Sequence, residues 1–147
     1  WSLDQADTQK AIRALQLFAI DHPESRRIDS CNLLLDEMRL KLEFKDYKAA
    51  KLFYKMERYR AAQMAFSNFN RKYPASKKKE ETWFLELKSA FLLALNSVED
   101  KKLERIEIAI DAYVTFVDRF PNSENLREAE TMYEKLQRMQ QESKNLS

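Results

Sequence analysis

The sequence predicts an all-α fold, a helical-repeat solenoid of antiparallel helix pairs, and three observations predict it. The 147-residue chain has no glycine, where roughly ten would be ordinary for this length. Its three prolines fall in one recurring phrase: Phe18, Pro23 and Ser25, then Phe69, Pro74 and Ser76, then Phe116, Pro121 and Ser123. Counted back from each proline, the same side-chain sizes return. The twelfth residue is Ala11, Ala62 or Ala109, the ninth is Ala14, Ala65 or Ala112, the eighth is Leu15, Phe66 or Tyr113, and the fifth is Phe18, Phe69 or Phe116. Offsets of three, four, seven and eleven put these residues on one stripe of a helix. Small residues admit a neighbouring helix and large ones fill the groove beside it. Spacings of 51 and 47 residues between the prolines are those of units that bury a face only against the next unit.

Composition excludes several classes. Without glycine there is no phosphate-binding loop, no dinucleotide fingerprint and no glycine-dependent hairpin. Apolar residues at 44% and aromatics at 12% suffice for a packed core and argue against disorder. Charged residues at 34% suit helices that each keep one wet face. A net charge of +2 is too small to imply a polyanionic partner. Cys31 is the single cysteine, so no internal disulfide forms. No apolar run is long enough to span a membrane as a helix. Trp1 stands first, without an initiator Met or a signal segment, so the chain reads as a piece of a longer protein.

The elements follow in order, as one solenoid over residues 1–147. A helix over about 8–21, capped by Asp7 or Thr8, is the second of its pair, and its partner is expected upstream of Trp1. Residues 25–56 contain no breaker. Ile28, Leu35, Leu42, Ala49 and Met56 recur every seven residues, with Cys31 and Met38 between them, which predicts one long connecting helix of about 48 Å. Aligning Ala50 with Ala90 makes this helix eleven residues longer than its counterpart, close to three turns, so its buried face stays in phase. A turn at Glu57 and Arg58 leads to a helix over 59–72. Ser76 opens the next, over 76–96. A polar connection, Asn96 to Lys102, precedes a helix over 103–119. A capping helix over 124–141 turns Leu126, Ala129, Met132, Tyr133, Leu136 and Met139 inward, and the tail from Glu142 is polar.

These offsets resemble the tetratricopeptide (TPR) repeat, whose second helix has alanine, an aromatic four residues on and proline twelve residues on. Ala62, Phe66 and Pro74 match it, as do Ala109, Tyr113 and Pro121, and Ala11, Leu15 and Pro23 match with leucine in the aromatic slot. The first-helix tryptophan and glycine of that repeat are absent. Longer phrases resemble the BamD family of outer-membrane β-barrel assembly lipoproteins: residues 3–12, Leu15 to Phe18 with His22 to Ser25, residues 50–62, residues 109–123 and residues 128–130. The match runs over nearly the whole chain and would cover the C-terminal half to two-thirds of such a protein. Where that family often has glycine, this chain has Glu57. The family's lipid-bearing cysteine has no counterpart here, since Cys31 sits mid-helix with no hydrophobic signal before it.

The resemblance implies a non-catalytic scaffold in the periplasm, held to the inner face of the outer membrane by a lipid anchor not present in this chain. Its partners would be the last POTRA domain of BamA and other subunits of the assembly machinery. A TPR adaptor of another kind, in the envelope or the cytosol, is the alternative. No catalytic, cofactor-binding or metal-ligating set is expected. His22 is the only histidine and occupies the slot of Tyr73 and Phe120, a packing position. One histidine and one cysteine cannot make a usual zinc site, and nothing orients a Cys31–His22 pair. Arg71, Lys72, Lys77, Lys78 and Lys79 give five cations in nine residues. That run reads as solvated surface, as contact with an acidic protein or lipid headgroup, or as a nucleic-acid contact. Glu80 and Glu81, which follow at once, oppose the last, and no nucleic acid is expected as partner. In the register fixed by Ala50 and Ala90, Phe44, Tyr47, Lys51, Tyr54 and Lys55 line the groove in one unit. Phe84, Leu87, Phe91 and Ala94 take those places in the next, where burial in the core is the competing reading. Aromatics beside lysines suit protein binding, so Tyr47, Lys51, Tyr54 and Lys55 are the candidate partner-binding residues.

Overall fold

The computed structural model describes residues 5–146. The opening phrase from Leu3 to Asp4 and the last residue, Ser147, lie outside the described residues. Among those described, the chain is all helix with no strand: α1 (Gln5–Asp21), α2 (Ile28–Lys55), α3 (Tyr59–Lys72), α4 (Lys79–Leu95), α5 (Glu99–Arg119) and α6 (Leu126–Asn145). The fold is a TPR-like helical repeat. Residues divide into two compact units, one up to Asp46 and one from Tyr47 onward.

The three proline turns are copies of one another. The residue before a proline is pushed out of the α region, and Tyr73 (φ −124°, ψ 64°) and Phe120 (φ −128°, ψ 64°) end their helices there. The His22, Tyr73 and Phe120 amides still donate to the Phe18, Phe69 and Phe116 carbonyls, each at 2.9 Å. Each ring also packs on the aromatic one turn back, with centroids 5.0, 4.9 and 5.5 Å apart. A tight turn follows, closed by the Ser25, Ser76 and Ser123 amides donating to the His22, Tyr73 and Phe120 carbonyls at 3.1–3.2 Å. Proline pre-sets the second position of such a turn. The three serine hydroxyls then accept from the Arg27, Lys78 and Asn125 amides at 3.0–3.2 Å.

That use of serine corrects two expected boundaries. Ser25 and Ser76 belong to the turn, and α2 and α4 begin three residues later, at Ile28 and Lys79. The last helix likewise starts at Leu126 and extends to Asn145, beyond the expected 141. The connection after α4 is shorter than expected. Val98 is extended and α5 starts at Glu99, where Glu99 and Asp100 sit at the positive end of the helix dipole. Asp7 and Thr8 lie within α1 rather than capping it.

The seven-residue recurrence in α2 holds only in part. Leu35 and Leu42 are buried, but Ala49 and Met56 are exposed. A 3.6-residue turn rotates a strict heptad by about 20° per repeat, so the buried position passes from residue 49 to Ala50. The eleven-residue alignment fares better, since Ala50 and Ala90 are both buried.

In the unit up to Asp46, Thr8, Cys31, Leu35 and Leu42 are buried. The Gln5 amide donates to Asp46 Oδ1 at 2.8 Å, and the Cys31 thiol lies 3.2 Å from the Leu15 carbonyl.

In the unit from Tyr47 onward, the small positions of the repeat do what their size suggests. Ala62 and Ala109 are fully buried. Ala50, Ala62 and Phe66 form one core cluster, flanked by Phe53, Tyr54 and Leu85. A second centres on Phe84, Leu87, Phe116, Ala129 and Met132, and a third on Ala90, Ala94, Ile106, Ala109, Leu136 and Met139. Phe66, Phe69 and Phe116 are fully buried, each a contribution of about 1.5–3 kcal/mol. The α6 face from Leu126 to Met139 lies inward as expected.

The α2–α3 turn shows what Glu57 does. Its amide donates to the Tyr54 carbonyl and that of Arg58 to the Phe53 carbonyl, both at 3.0 Å. This is the paired closure in which the residue after the helix cap goes left-handed. Glu57 does so, at φ 58°, so the chain keeps the turn geometry of glycine and bears the side-chain strain.

Two substitutions check this packing. Ala62→Trp or Ala109→Trp overpacks a fully buried contact and is expected to destabilise by about 1–3 kcal/mol or more, read as a lower thermal midpoint. Glu57→Gly relieves the left-handed strain and, after the added freedom of the unfolded chain, is expected to gain about 0.5–1 kcal/mol in a denaturant titration.

Candidate protein-binding site

The candidate residues lie on the last turns of α2, where steps of four, three and one put Tyr47, Lys51, Tyr54 and Lys55 on one stripe. Tyr47 is tied to α4. Its hydroxyl lies 2.8 Å from both carboxylate oxygens of Glu81 and donates to them. The Lys51 ammonium donates to Glu81 Oε1 at 2.9 Å and to the Tyr47 hydroxyl at 3.2 Å. Lys78 places its ammonium 3.9 Å from the centre of the Tyr47 ring, Lys51 lies 5.2 Å from it, and Phe69 packs at 6.2 Å.

The titrations of this cluster follow from its contacts. Burial pushes the Tyr47 hydroxyl up, and accepting its hydrogen bond makes Glu81 add to that. Hydrogen bonds to Glu81 and then Tyr47 raise Lys51 against burial. For Glu81 burial acts upward, but the bonds from Lys51 and Tyr47 together outweigh it, and the carboxyl lies below its ordinary value. The Lys51–Glu81 pair is partly solvent-exposed, so its contribution to stability is small.

Tyr54 and Lys55 are placed differently. Tyr54 borders the Ala50–Ala62–Phe66 cluster and meets Tyr59 edge-on at 5.9 Å. Lys55 is exposed. Tyr59 also lines an open cleft of about 740 Å³, formed by Glu57, Arg58, Arg60, Met64, Leu93 and Asn96 among others. Met64, 55% exposed, gives this cleft an apolar side chain in a lining that also holds Arg58 and Arg60.

The second set of groove positions is core. Phe84, Leu87 and Ala94 are buried and Phe91 packs against them, because α4 is covered by both α5 and α6. His22 is exposed and packs on Phe18, the packing slot its position implied.

Two features were missed in the sequence. The first is a repeated ion pair. Lys88 on α4 contacts Glu128 on α6 at 2.9 Å, as Lys51 contacts Glu81. Both glutamates stand seven residues after their proline, a signal the sequence offered. The second is a buried polar bridge from α3 to α4. Asn70 Nδ2 donates to Glu86 at 2.9 Å and Asn70 Oδ1 accepts from the fully buried Thr82 hydroxyl at 2.7 Å. Burial raises the Glu86 carboxyl above its ordinary value, against hydrogen bonds from Asn70 and Ser67 and the nearby Arg71 and Arg119. Ser89, also on α4, is fully buried, and its hydroxyl has no hydrogen-bond partner among the described residues.

Helical packing and proline turns alone fit many repeat proteins, so comparison with known families narrows the reading. The family model described as outer membrane lipoprotein, YfiO, matches residues 1–142. The chain belongs to this family. The BamD resemblance of the sequence is thereby established over almost its full length. No curated protein matches the chain. YfiO proteins of this BamD-like type are non-catalytic accessory lipoproteins of the outer membrane, with protein partners in the assembly complex. In this YfiO chain Cys31 is buried within α2.

Glu86 supplies a pH test. A carboxyl whose folded pKa is raised contributes stability that is complete below the unfolded pKa and lost as pH rises through the folded one. Glu86→Gln removes that loss while keeping an acceptor for Asn70. The variant is expected to melt a few degrees above the native chain at neutral pH. The gap should shrink on acidification towards pH 5, measured as paired thermal midpoints across that range.

Proposed function

We propose that this chain is a non-catalytic scaffold of the outer-membrane protein assembly machinery. It would work at the periplasmic face and hold other subunits in place for β-barrel insertion. Family membership over residues 1–142 is the observation that carries the reading. The partner proposed is the last POTRA domain of BamA, with other assembly subunits beside it.

The arrangement of the surface supports a division of labour among the four candidate residues. Tyr47 and Lys51 are joined to Glu81, so they present a fixed polar patch at little further entropic cost on binding. Tyr54 packs on Tyr59, which lines the cleft where an apolar side chain of a partner would meet Met64 and a partner carboxylate would meet Arg58 or Arg60, and Lys55 is an exposed cation one residue on from Tyr54. An aromatic anchor flanked by arginines is the composition that concentrates binding energy. No cofactor enters this mechanism. The work is geometric, a set of helices presented at fixed spacing by the proline turns.

The test is capture of the full-length protein by POTRA domains from the same organism. Native protein is expected to bind. Lys55→Glu with Arg60→Glu, both at exposed positions, is expected to weaken capture by tenfold or more, the scale of hot-spot losses, with unchanged circular dichroism. Clean absence of binding by the native protein would remove the BamA reading. Undiminished binding by the variant would remove this cleft from it.

A further inference from the structure

The turn between α3 and α4 carries Arg71, Lys72, Lys77, Lys78 and Lys79, five cations in nine residues. The fold does not require them. The same turn is built twice more, with the same proline, the same serine hydrogen bonds and the same ring pair. In those copies the charge is balanced or acidic. The equivalent window 20–28 holds Asp21 and Glu24 against Arg26 and Arg27, and 118–126 holds Asp118 and Glu124 against Arg119. The cationic run is therefore an addition to a turn that forms without it.

Local helix electrostatics explain only part of it. Arg71 and Lys72 lie in the last turn of α3, where cations complement the dipole. Lys77, Lys78 and Lys79 stand at the start of α4, where the dipole disfavours them. Glu80 and Glu81 follow in sequence, and Glu81 is already engaged by Lys51 and Tyr47.

The form of the patch narrows what it fits. Arg71, Lys72, Lys77 and Lys79 are exposed. The nearby aromatics are overlaid by lysines, Tyr73 by Lys72 at 5.4 Å and Tyr47 by Lys78 at 3.9 Å. The exposed tip is only Pro74 and Ala75, so no apolar anchor of the kind that dominates protein interfaces is offered. Four of the five cations are lysines, hydrated point charges on flexible stems, which suit a layer of phosphates without fixed geometry. The chain also belongs to a family of outer membrane lipoproteins, so a headgroup layer is close at hand.

We propose that the Arg71–Lys79 turn is a docking surface for anionic phospholipid headgroups, a second membrane contact that sets how the helices from Tyr47 onward meet the bilayer. It rests on membership of the lipoprotein family and does not depend on which protein partner is bound.

The experiment is sedimentation of the lipid-free 147-residue chain with vesicles of phosphatidylcholine alone or mixed with phosphatidylglycerol, at low and high salt. Each lysine at such a surface is worth about fivefold in affinity. Native protein is expected to bind only the anionic vesicles and to be released by salt. Lys77→Gln with Lys79→Gln should weaken binding about thirtyfold, whereas Lys101→Gln with Lys102→Gln leaves it unchanged, circular dichroism confirming both folds. Equal binding to both vesicle types, or a Lys77/Lys79 variant that binds like the native chain, overturns the proposal. So does salt-sensitive binding to polyglutamate with none to anionic vesicles, which would make the turn a site for an acidic protein segment. Loss of POTRA capture with vesicle binding intact would refute the scaffold reading alone.

Discussion

Everything in the arrangement depends on how the helices are made to stop. A chain without glycine has few ways to reverse direction, and three of its reversals use one device. Proline forces the residue before it out of the helical region. That residue is a ring, and it packs on the aromatic one turn back at 4.9–5.5 Å. A serine two residues past the proline then gathers the next backbone amides. The turn is closed from both sides at once, so the angle between consecutive helices is fixed by local chemistry. Only with that angle fixed can fully buried alanines such as Ala62 and Ala109 serve as contact points, because a close approach between helices tolerates almost no error in direction.

The helices from Tyr47 onward combine two kinds of contact. Apolar clusters carry the stability, and polar bridges select the pairing. Asn70, Thr82 and Glu86 link α3 to α4 inside the core, where an unmatched polar group is costly. Lys51–Glu81 and Lys88–Glu128 join alternate helices at the surface, where each contributes little to stability but repeats at one place in the sequence register. The same two-layer logic shapes the proposed binding surface. Tyr47 and Lys51 are held by Glu81, while Tyr54, Tyr59 and Met64 leave apolar area beside arginines. The scaffold role proposed above would draw on that combination, since a partner gains most from groups that are already ordered when it arrives.

Much of the fold was legible because helix signals are local. The helix over 59–72 was placed to the residue, since both of its ends are marked by turn chemistry. The inward face of α6 was read from its spacing. Helix starts after the proline turns were misplaced by two to three residues, because serine can cap a helix or close a turn with the same hydroxyl. The heptad in α2 misled at Ala49 and Met56, because a seven-residue rule describes supercoiled helices, whereas the buried position of a straight helix drifts by about 20° per repeat. Of the candidate surface, Tyr47, Lys51, Tyr54 and Lys55 were proposed from the Ala50–Ala90 register, whereas the cleft at Met64 was not legible, since it is assembled from α3, the turn before it and the end of α4.

By itself the sequence determined the proline turns, the apolar face of α6, the contact alanines Ala62 and Ala109 and the family, all of which follow from spacing along one chain. Glu57 in the left-handed region, the burial of Glu86, the exclusion of Phe84 and Leu87 from the surface and the capture of Tyr47 by Glu81 were decided only by the tertiary structure. Glu57 follows from how its helix end closes, and the other three depend on which helix covers which, since residues well apart in sequence carry no mark of being neighbours until the turns bring their helices together.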